Sequence, residues 1–241
     1  MKQEVWLGDC LELMGNIPDK SVDMILCDLP YGTTDCKWDS IIDLTVLWKS
    51  YIRIIKPNCG IVLTASQPFT SVLISSNIKM FKTEWIWQKN AGSNFGTVKY
   101  TPMKEHESIL VFGSGKIKYK PIMQERAESG KSRVKNIVNY NTNCEVYQKG
   151  NLSNQVASQR PELRYPSSIQ KFNRERGVHP TQKPVALCEY FIKTYTNEND
   201  LVLDNCAGSG STLVAAKNLN RQFIGIEKEK QYYDICLKRL E

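Results

Sequence analysis

The chain has 241 residues, of which 41% are hydrophobic and 24% charged. That is enough for one sizeable α/β domain with an inserted module, or for two small domains, and it is too long for a disulfide-stapled miniprotein. Lys and Arg (32) outnumber Asp and Glu (25), for a net charge of +7 that suits an anionic partner without naming one. No run approaches the roughly eighteen apolar residues of a membrane helix. The start, Met1-Lys2-Gln3-Glu4-Val5, has neither the basic head nor the apolar stretch of a signal peptide, so the expected location is the cytoplasm, with no membrane partner. The eight cysteines form no C-x-x-C pair and His106 and His179 are the only histidines, which argues against a structural zinc. The cysteines read instead as reduced, mostly buried small apolar residues.

In chain order, Gln3 to Leu7 and the almost wholly apolar Val22 to Cys27 read as strands, the second of the kind buried on both faces of a parallel sheet. Between Asp43 and Ile55 the apolar positions 44, 47, 48, 51, 52 and 55 form one helical face. Lys56-Pro57-Asn58-Cys59-Gly60 is expected to end that helix, with strand resuming at Ile61 to Ala65 and two further strands near Glu84 to Trp87 and Ser108 to Phe112. From about Lys116 to Val178 apolar residues become sparse and no periodic element longer than a few residues is expected. The rhythm then returns with a helix around Val185 to Tyr195, a strand at Leu201 to Leu203, a helix near Ser211 to Leu219, a strand at Phe223 to Ile226 and a last helix from about Lys230 to Leu240. Strands alternating with amphipathic helices predict an α/β fold with a doubly wound, mostly parallel sheet.

Two segments carry chemistry. In the first, an apolar strand runs through Asp204-Asn205-Cys206-Ala207 into the turn Gly208-Ser209-Gly210, which opens a helix at Ser211-Thr212. Such a turn lets backbone approach a ligand at the strand's carboxyl end. Glu227, fifteen residues beyond Thr212 at the end of the next strand, is placed to bond ribose hydroxyls. Together these describe a site for a nucleoside-containing cofactor. The third glycine of the dinucleotide fingerprint is absent and no Gly-Lys-Ser/Thr loop occurs, which argues against a pyrophosphate.

The second segment is Asp28-Leu29-Pro30-Tyr31, just past the buried strand. It resembles the D-P-P-Y box of amino-methyltransferases that act on exocyclic base nitrogens, and Asp204 to Thr212 is similar to that family's S-adenosylmethionine box. Gly8-Asp9-Cys10, His179-Pro180-Thr181-Gln182-Lys183-Pro184 and the ending Tyr232-Tyr233…Lys238-Arg239-Leu240 resemble the family's flanking segments. The catalytic box precedes the cofactor box, the circularly permuted order of the β class of DNA amino-methyltransferases. The resemblance covers roughly the first 112 and the last 63 residues.

The resemblance implies a Rossmann-like methyltransferase fold divided into a catalytic half (1–115), an inserted target-recognition region (116–178) and a cofactor half (179–241). It implies catalytic roles for Asp28, Leu29, Pro30 and Tyr31. S-adenosyl-L-methionine would be held by Asp9, Asp28, Thr181, Lys183, Asp204, Cys206, Ala207, Gly208, Ser209, Gly210, Thr212 and Glu227. The chain departs from the pattern at Leu29, at Asn205-Cys206 in place of Pro-Phe, and at Ser211. Trp85, Trp87 and Phe95 read as core or scaffold, and His106 as a hydrogen-bonded structural histidine.

The implied substrate is a base flipped out of double-stranded DNA. Asp at the head of the box favours the N6 amine of adenine, since N4-cytosine enzymes usually carry Ser there; N4-cytosine is the alternative. Carbon-5 chemistry would need a Pro-Cys nucleophile, and the chain contains none. RNA-base and protein-glutamine methyltransferases share the box but place the cofactor segment first. A catalytically silent DNA-binding relative is disfavoured by intact Asp28, Tyr31, Gly208, Gly210 and Glu227. Homodimerisation, a cognate restriction endonuclease, and a bacterial or phage setting stay open. Residues 116–178 hold thirteen Lys or Arg against five acids, a local excess of +8 in a chain whose remainder sums to −1; phosphate contacts from a recognition region would require this.

Overall fold

The computed structural model describes residues 2–32, 41–135, 162–175 and 182–241, with backbone alone for 132–135. Its strands are β1 (Gln3–Leu7), β2 (Val22–Asp28), β3 (Ile55–Ala65), β4 (Phe81–Gln88), β5 (His106–Phe112), β6 (Gln124–Glu125), β7 (Leu163–Arg164), β8 (Ile169–Lys171), β9 (Leu201–Asp204) and β10 (Gln222–Glu227). The helices are α1 (Cys10–Leu13), α2 (Leu44–Ile54), α3 (Phe69–Ser76), α4 (Glu128–Lys135), α5 (Val185–Tyr195), α6 (Ser211–Asn218) and α7 (Lys230–Leu240). Residues 1–120 and 168–241 form one unit and residues 121–167 a second, smaller one.

The larger unit is built on one eight-stranded sheet in the order β1-β10-β9-β2-β3-β5-β4-β8. The five strands from β1 to β3 are mutually parallel. β5 then runs antiparallel to both β3 and β4. Strand order reverses between β9 and β2, the neighbours whose register pairs Met24 with Val202 and Ile25 with Leu203. At such a reversal the loops leave in opposite directions and open a crevice beyond the strands' carboxyl ends. Asp28 and Asp204, the last residues of β2 and β9, face that crevice.

The apolar run Met24 to Cys27 of β2 follows from helices covering both faces. Ile25 and Cys27 point into one core with Ile61, Leu63, Leu203 and the α2 residues Leu47, Tyr51 and Ile54. Met24 and Leu26 point into another with Val62, Val202 and the α5 and α6 residues Phe191, Ile192 and Leu213. This is the period-2 alternation of a strand buried twice over. α2 starts where Asp43 accepts from the backbone N–H groups of Thr45 (2.8 Å) and Val46 (3.2 Å), satisfying two otherwise unpaired donors.

Three expectations are corrected. The Lys56 to Gly60 segment does not separate helix from strand: β3 begins at Ile55, directly after α2. The irregularity is absorbed in register, because Val22 pairs with Ile55 while Met24 pairs with Gly60. Pro57 lies in that bulge, where no ladder bond needs its missing N–H. The polar stretch 116–178 does contain regular elements: α4, the antiparallel pair β6–β7 in the smaller unit, and β8, which adds parallel to β4 at the edge of the main sheet. Two- and three-residue strands are held by backbone pairing and leave no apolar period to read. Finally, α3 replaces what had no assigned structure after Ala65.

Candidate functional site

A cavity of about 690 Å³ occupies the crevice. Asp28, Leu29, Pro30 and Tyr31 line its middle, and Asp9, Asp204, Cys206, Ala207, Gly208, Ser209, Thr212 and Glu227 line one end. Lys183 also reaches it. Thr181 lies outside the described residues. Gly210 does not line the cavity. It turns the chain at φ +79°, and a Cβ there would stand 2.5 Å from the Cys236 sulfur, so both dihedral and space require glycine. Gly208, at φ +52°, makes the other left-handed step of the turn.

At this end Glu227 accepts from the backbone N–H of Gly208 (2.7 Å) and of Glu229 (2.8 Å), which fixes both carboxylate oxygens at the rim while leaving lone pairs free. Burial pushes its pKa up, against those two bonds. Asp204 is 3% exposed. Burial raises its pKa to about 7, opposed by hydrogen bonds from Thr212, the Cys206 N–H and Cys27. Asp9 caps α1 by accepting from Leu11 N–H at 2.9 Å, and its other oxygen meets Lys228 at 3.3 Å. The Ser209 hydroxyl and carbonyl both accept from Arg239 of α7, at 3.0 and 2.7 Å, so Ser209 anchors the turn from behind. The Asn205 side chain accepts from the buried Tyr51 hydroxyl at 2.5 Å, a partner that the Pro of the family's usual Pro-Phe could not supply.

In the middle, Asp28 is the hub. Tyr31 donates to Oδ1 at 2.7 Å, and Thr64, its register partner on β3, donates to the same oxygen. Lys183 donates to Oδ2 at 2.5 Å. Lys183 also lies 3.3 Å from Glu107 Oε2, and Lys89 donates to Glu107 Oε1 at 2.5 Å. Two cations and two carboxylates thus alternate along one chain, with the Lys183 side chain only 10% exposed. Burial alone would lower the Lys183 pKa, but the Asp28 and Glu107 carboxylates outweigh it and raise it, so the ammonium persists. Burial would raise that of Glu107, and Lys183 and Lys89 instead pull it below the usual range. Tyr31 stacks on Phe69 (centroids 5.5 Å apart, planes 27° apart), and burial, then the Asp28 charge, drives its hydroxyl pKa well up, so it remains a donor. Leu29, in place of a proline, is 3% exposed in the core below.

Glu107, Lys89 and Thr64 were not found by sequence reasoning. The available signal was a lysine just past one strand and a glutamate early in the next, opposite charges at neighbouring strand ends. Trp85 and Trp87 are buried as expected, but Phe95 is 63% exposed and is not core. His106 is exposed at the first residue of β5. The described cysteines are free, all but Cys206 buried. Among the described residues there is no cluster able to hold a metal, and no helix is long and apolar enough to cross a membrane.

The DNA methylase family model matches residues 22–238. The chain belongs to the β class of DNA amino-methyltransferases. It is 31% identical to the Type II methyltransferase M2.LlaDCHI of Lactococcus lactis subsp. cremoris, over 97% of this chain and 87% of that one. Its fold matches the crystal structure of the M1.HpyAVI–SAM complex with a TM-score of 0.65 at 26% identity, covering 99% of this chain and 98% of the other. The cytosine-N4-specific PvuII DNA methyltransferase has the same fold, with a TM-score of 0.72 at 16% identity over 100% of this chain and 87% of that one. This amino-methyltransferase uses S-adenosylmethionine, and the left-handed glycine turn and the rim carboxylate of Glu227 fit that cofactor's nucleoside.

The raised pKa of Asp204 has a consequence for stability. The native state holds this proton between the ordinary carboxylate value near 4 and about 7, whereas the unfolded chain has released it. Stability from this group is therefore full below that window and is lost as pH rises through about 7. Asp204→Asn should exceed the wild type in melting temperature by clearly more at pH 8 than at pH 5, measured on cofactor-free protein. Parallel pH profiles for the two proteins would refute the assignment.

Proposed function

We propose that this methyltransferase transfers the methyl group of S-adenosylmethionine to the exocyclic N6 amine of an adenine flipped out of double-stranded DNA. The observation that carries the reading is the Asp28 hub, a carboxylate at the cavity's centre oriented by Tyr31, Thr64 and Lys183.

The amine of adenine is a poor nucleophile because its lone pair is delocalised into the ring. Acceptors that take its two hydrogens favour a pyramidal nitrogen with the pair available. A carboxylate offers about four acceptor sites, and three donors reach Asp28. An acceptor site is left for one amine hydrogen, and the Leu29 carbonyl takes the other. Pro30 stiffens the turn and Tyr31 gives the base a flat surface. When bound, S-adenosylmethionine supplies a methyl already activated on a sulfonium, so the chain needs only to align the two reactants. Asp9, Lys183, Asp204, Cys206, Ala207, Gly208, Ser209, Gly210, Thr212 and Glu227 form or back the cofactor end, and Thr181 belongs with them by the family's pattern.

The Asp at the head of the box supports adenine over N4-cytosine. Residues 116–178 act as the target-recognition region, supported by their local excess of positive charge. Lys116, Lys120 and Lys171 in that segment are exposed, whereas Lys118 is taken up in an ion pair with Asp200 at 2.6 Å.

Duplex DNA methylated by the protein and digested to nucleosides should yield N6-methyladenosine in the deoxy series; N4-methylcytosine alone would overturn the adenine assignment, and label found only in RNA or protein would overturn the substrate class. Asp28→Ala should abolish transfer while cofactor affinity changes little, because Lys183 keeps Glu107 as its counter-charge; full activity in this variant would refute the mechanism. Changing Lys116, Lys120 and Lys171 together to Gln should weaken DNA binding and flatten its salt dependence by about 0.9 in log–log slope for each lost phosphate contact, with cofactor affinity unchanged. An unaltered slope would remove these residues from the DNA interface.

A further inference from the structure

The cavity's far end, opposite Glu227, is rimmed by Lys89, Ser93, Lys104 and Arg174. Three of these belong to the β4–β5 connection, residues 89–105, which contains three lysines and one acidic residue, Glu105. The connection is a shaped structure. The Asn94 amide donates to the Pro102 carbonyl at 3.0 Å and to the Thr101 hydroxyl at 3.2 Å, while its oxygen accepts from Lys104 N–H at 2.7 Å. Arg174 binds the Gly92 carbonyl at 3.1 Å from outside. Yet this braced loop holds large apolar groups in solvent: Tyr100 is 86% exposed, Phe95 63%, Met103 43% and Val98 40%. Lys99 and Lys104 pair with no carboxylate among the described residues.

We propose that the 89–105 loop docks on the DNA duplex beside the extruded base, with Phe95 and Tyr100 packing against exposed base faces and Lys99 and Lys104 meeting the phosphates. The inference rests on the proposed action on duplex DNA. One end of the cavity is assigned to the cofactor and its middle to the reacting amine, so among the described residues the remaining rim, where the loop stands, is where a base would enter. Extruding a nucleotide uncovers the faces of its former stacking neighbours, and an aromatic ring on a braced loop covers such faces with little loss of side-chain entropy. The charge of the loop complements a polyanion.

The variants Phe95→Ala, Tyr100→Ala and their double are assayed for label transfer from S-adenosylmethionine to unmethylated genomic DNA, alongside cofactor affinity, melting temperature and mass in solution. The double variant should raise KM for DNA by about tenfold or more, with the other three readings unchanged. Phe95→Trp should in addition show emission quenched on adding duplex DNA. Wild-type KM in the double variant, with the wild-type protein active on DNA, would overturn the docking role alone. A fall in melting temperature or a change in mass would assign the aromatic face to this chain or to a second copy, and overturn it equally. A wild-type protein inactive on DNA would instead sink the underlying function.

Discussion

The structure turns on one buried ammonium shared by two carboxylates. Removing a charge from water costs several kcal/mol even after the protein relaxes, so neither Asp28 nor Glu107 could be held at the crevice floor alone. Lys183 lies between them, at 2.5 Å from one and 3.3 Å from the other. Lys89 closes the set against Glu107, leaving the group neutral as a whole. These four residues come from the end of β2, the start of β5, the residue after β4 and the segment leading into α5. The cluster therefore makes the two distant parts of the chain that flank the polar middle depend on each other, and it holds the Asp28 carboxylate oriented in the crevice. Preorganisation of this kind keeps solvent reorganisation out of the reaction step.

The cofactor end uses a different device. There the positive-φ glycines turn the chain sharply, and the side chains around them hold the turn. Glu227 takes the Gly208 N–H, Arg239 takes the Ser209 carbonyl, and Cys236 sits where a Cβ on Gly210 would have to go. α7 is thus a brace for a turn some thirty residues earlier.

Much of this was legible in the sequence, for identifiable reasons. A doubly buried strand such as β2 declares itself by its apolar run, and α2 and α5 by their apolar faces. The two boxes announce themselves because catalysis and close backbone approach demand particular residues at consecutive positions. What stayed hidden depends on register. Thr64 reaches Asp28 only because the two are paired across β2 and β3, and Glu107 only because β5 runs antiparallel next to β3. A lone threonine within an apolar run or a glutamate at a strand start carries no such information. The bulge at Pro57 was misread for a related reason, since proline and glycine together signal a break while a sheet can absorb them in an irregular pairing. Phe95 reads as core or scaffold in the sequence because an aromatic residue usually is; its exposure follows from a loop whose hydrogen bonds close around Asn94 instead of around apolar contacts.

The cavity also sorts its ligands by charge along its length. Asp9, Asp204, Glu227 and Glu229 outnumber Lys228 at one end, and Lys89, Lys104 and Arg174 outnumber Glu107 and Glu175 at the other, with the Asp28–Lys183 pair at the boundary. A sulfonium-bearing cofactor is cationic at its reacting centre and is favoured where carboxylates collect; a nucleic acid is favoured where cations do. The raised pKa of Asp204 tempers the first preference near neutral pH, because part of that carboxylate population is protonated until a cation is present to draw the proton off. This balance agrees with the proposed arrangement, the cofactor at one end of the crevice and DNA at the other, with Asp28 between them where the strand order switches.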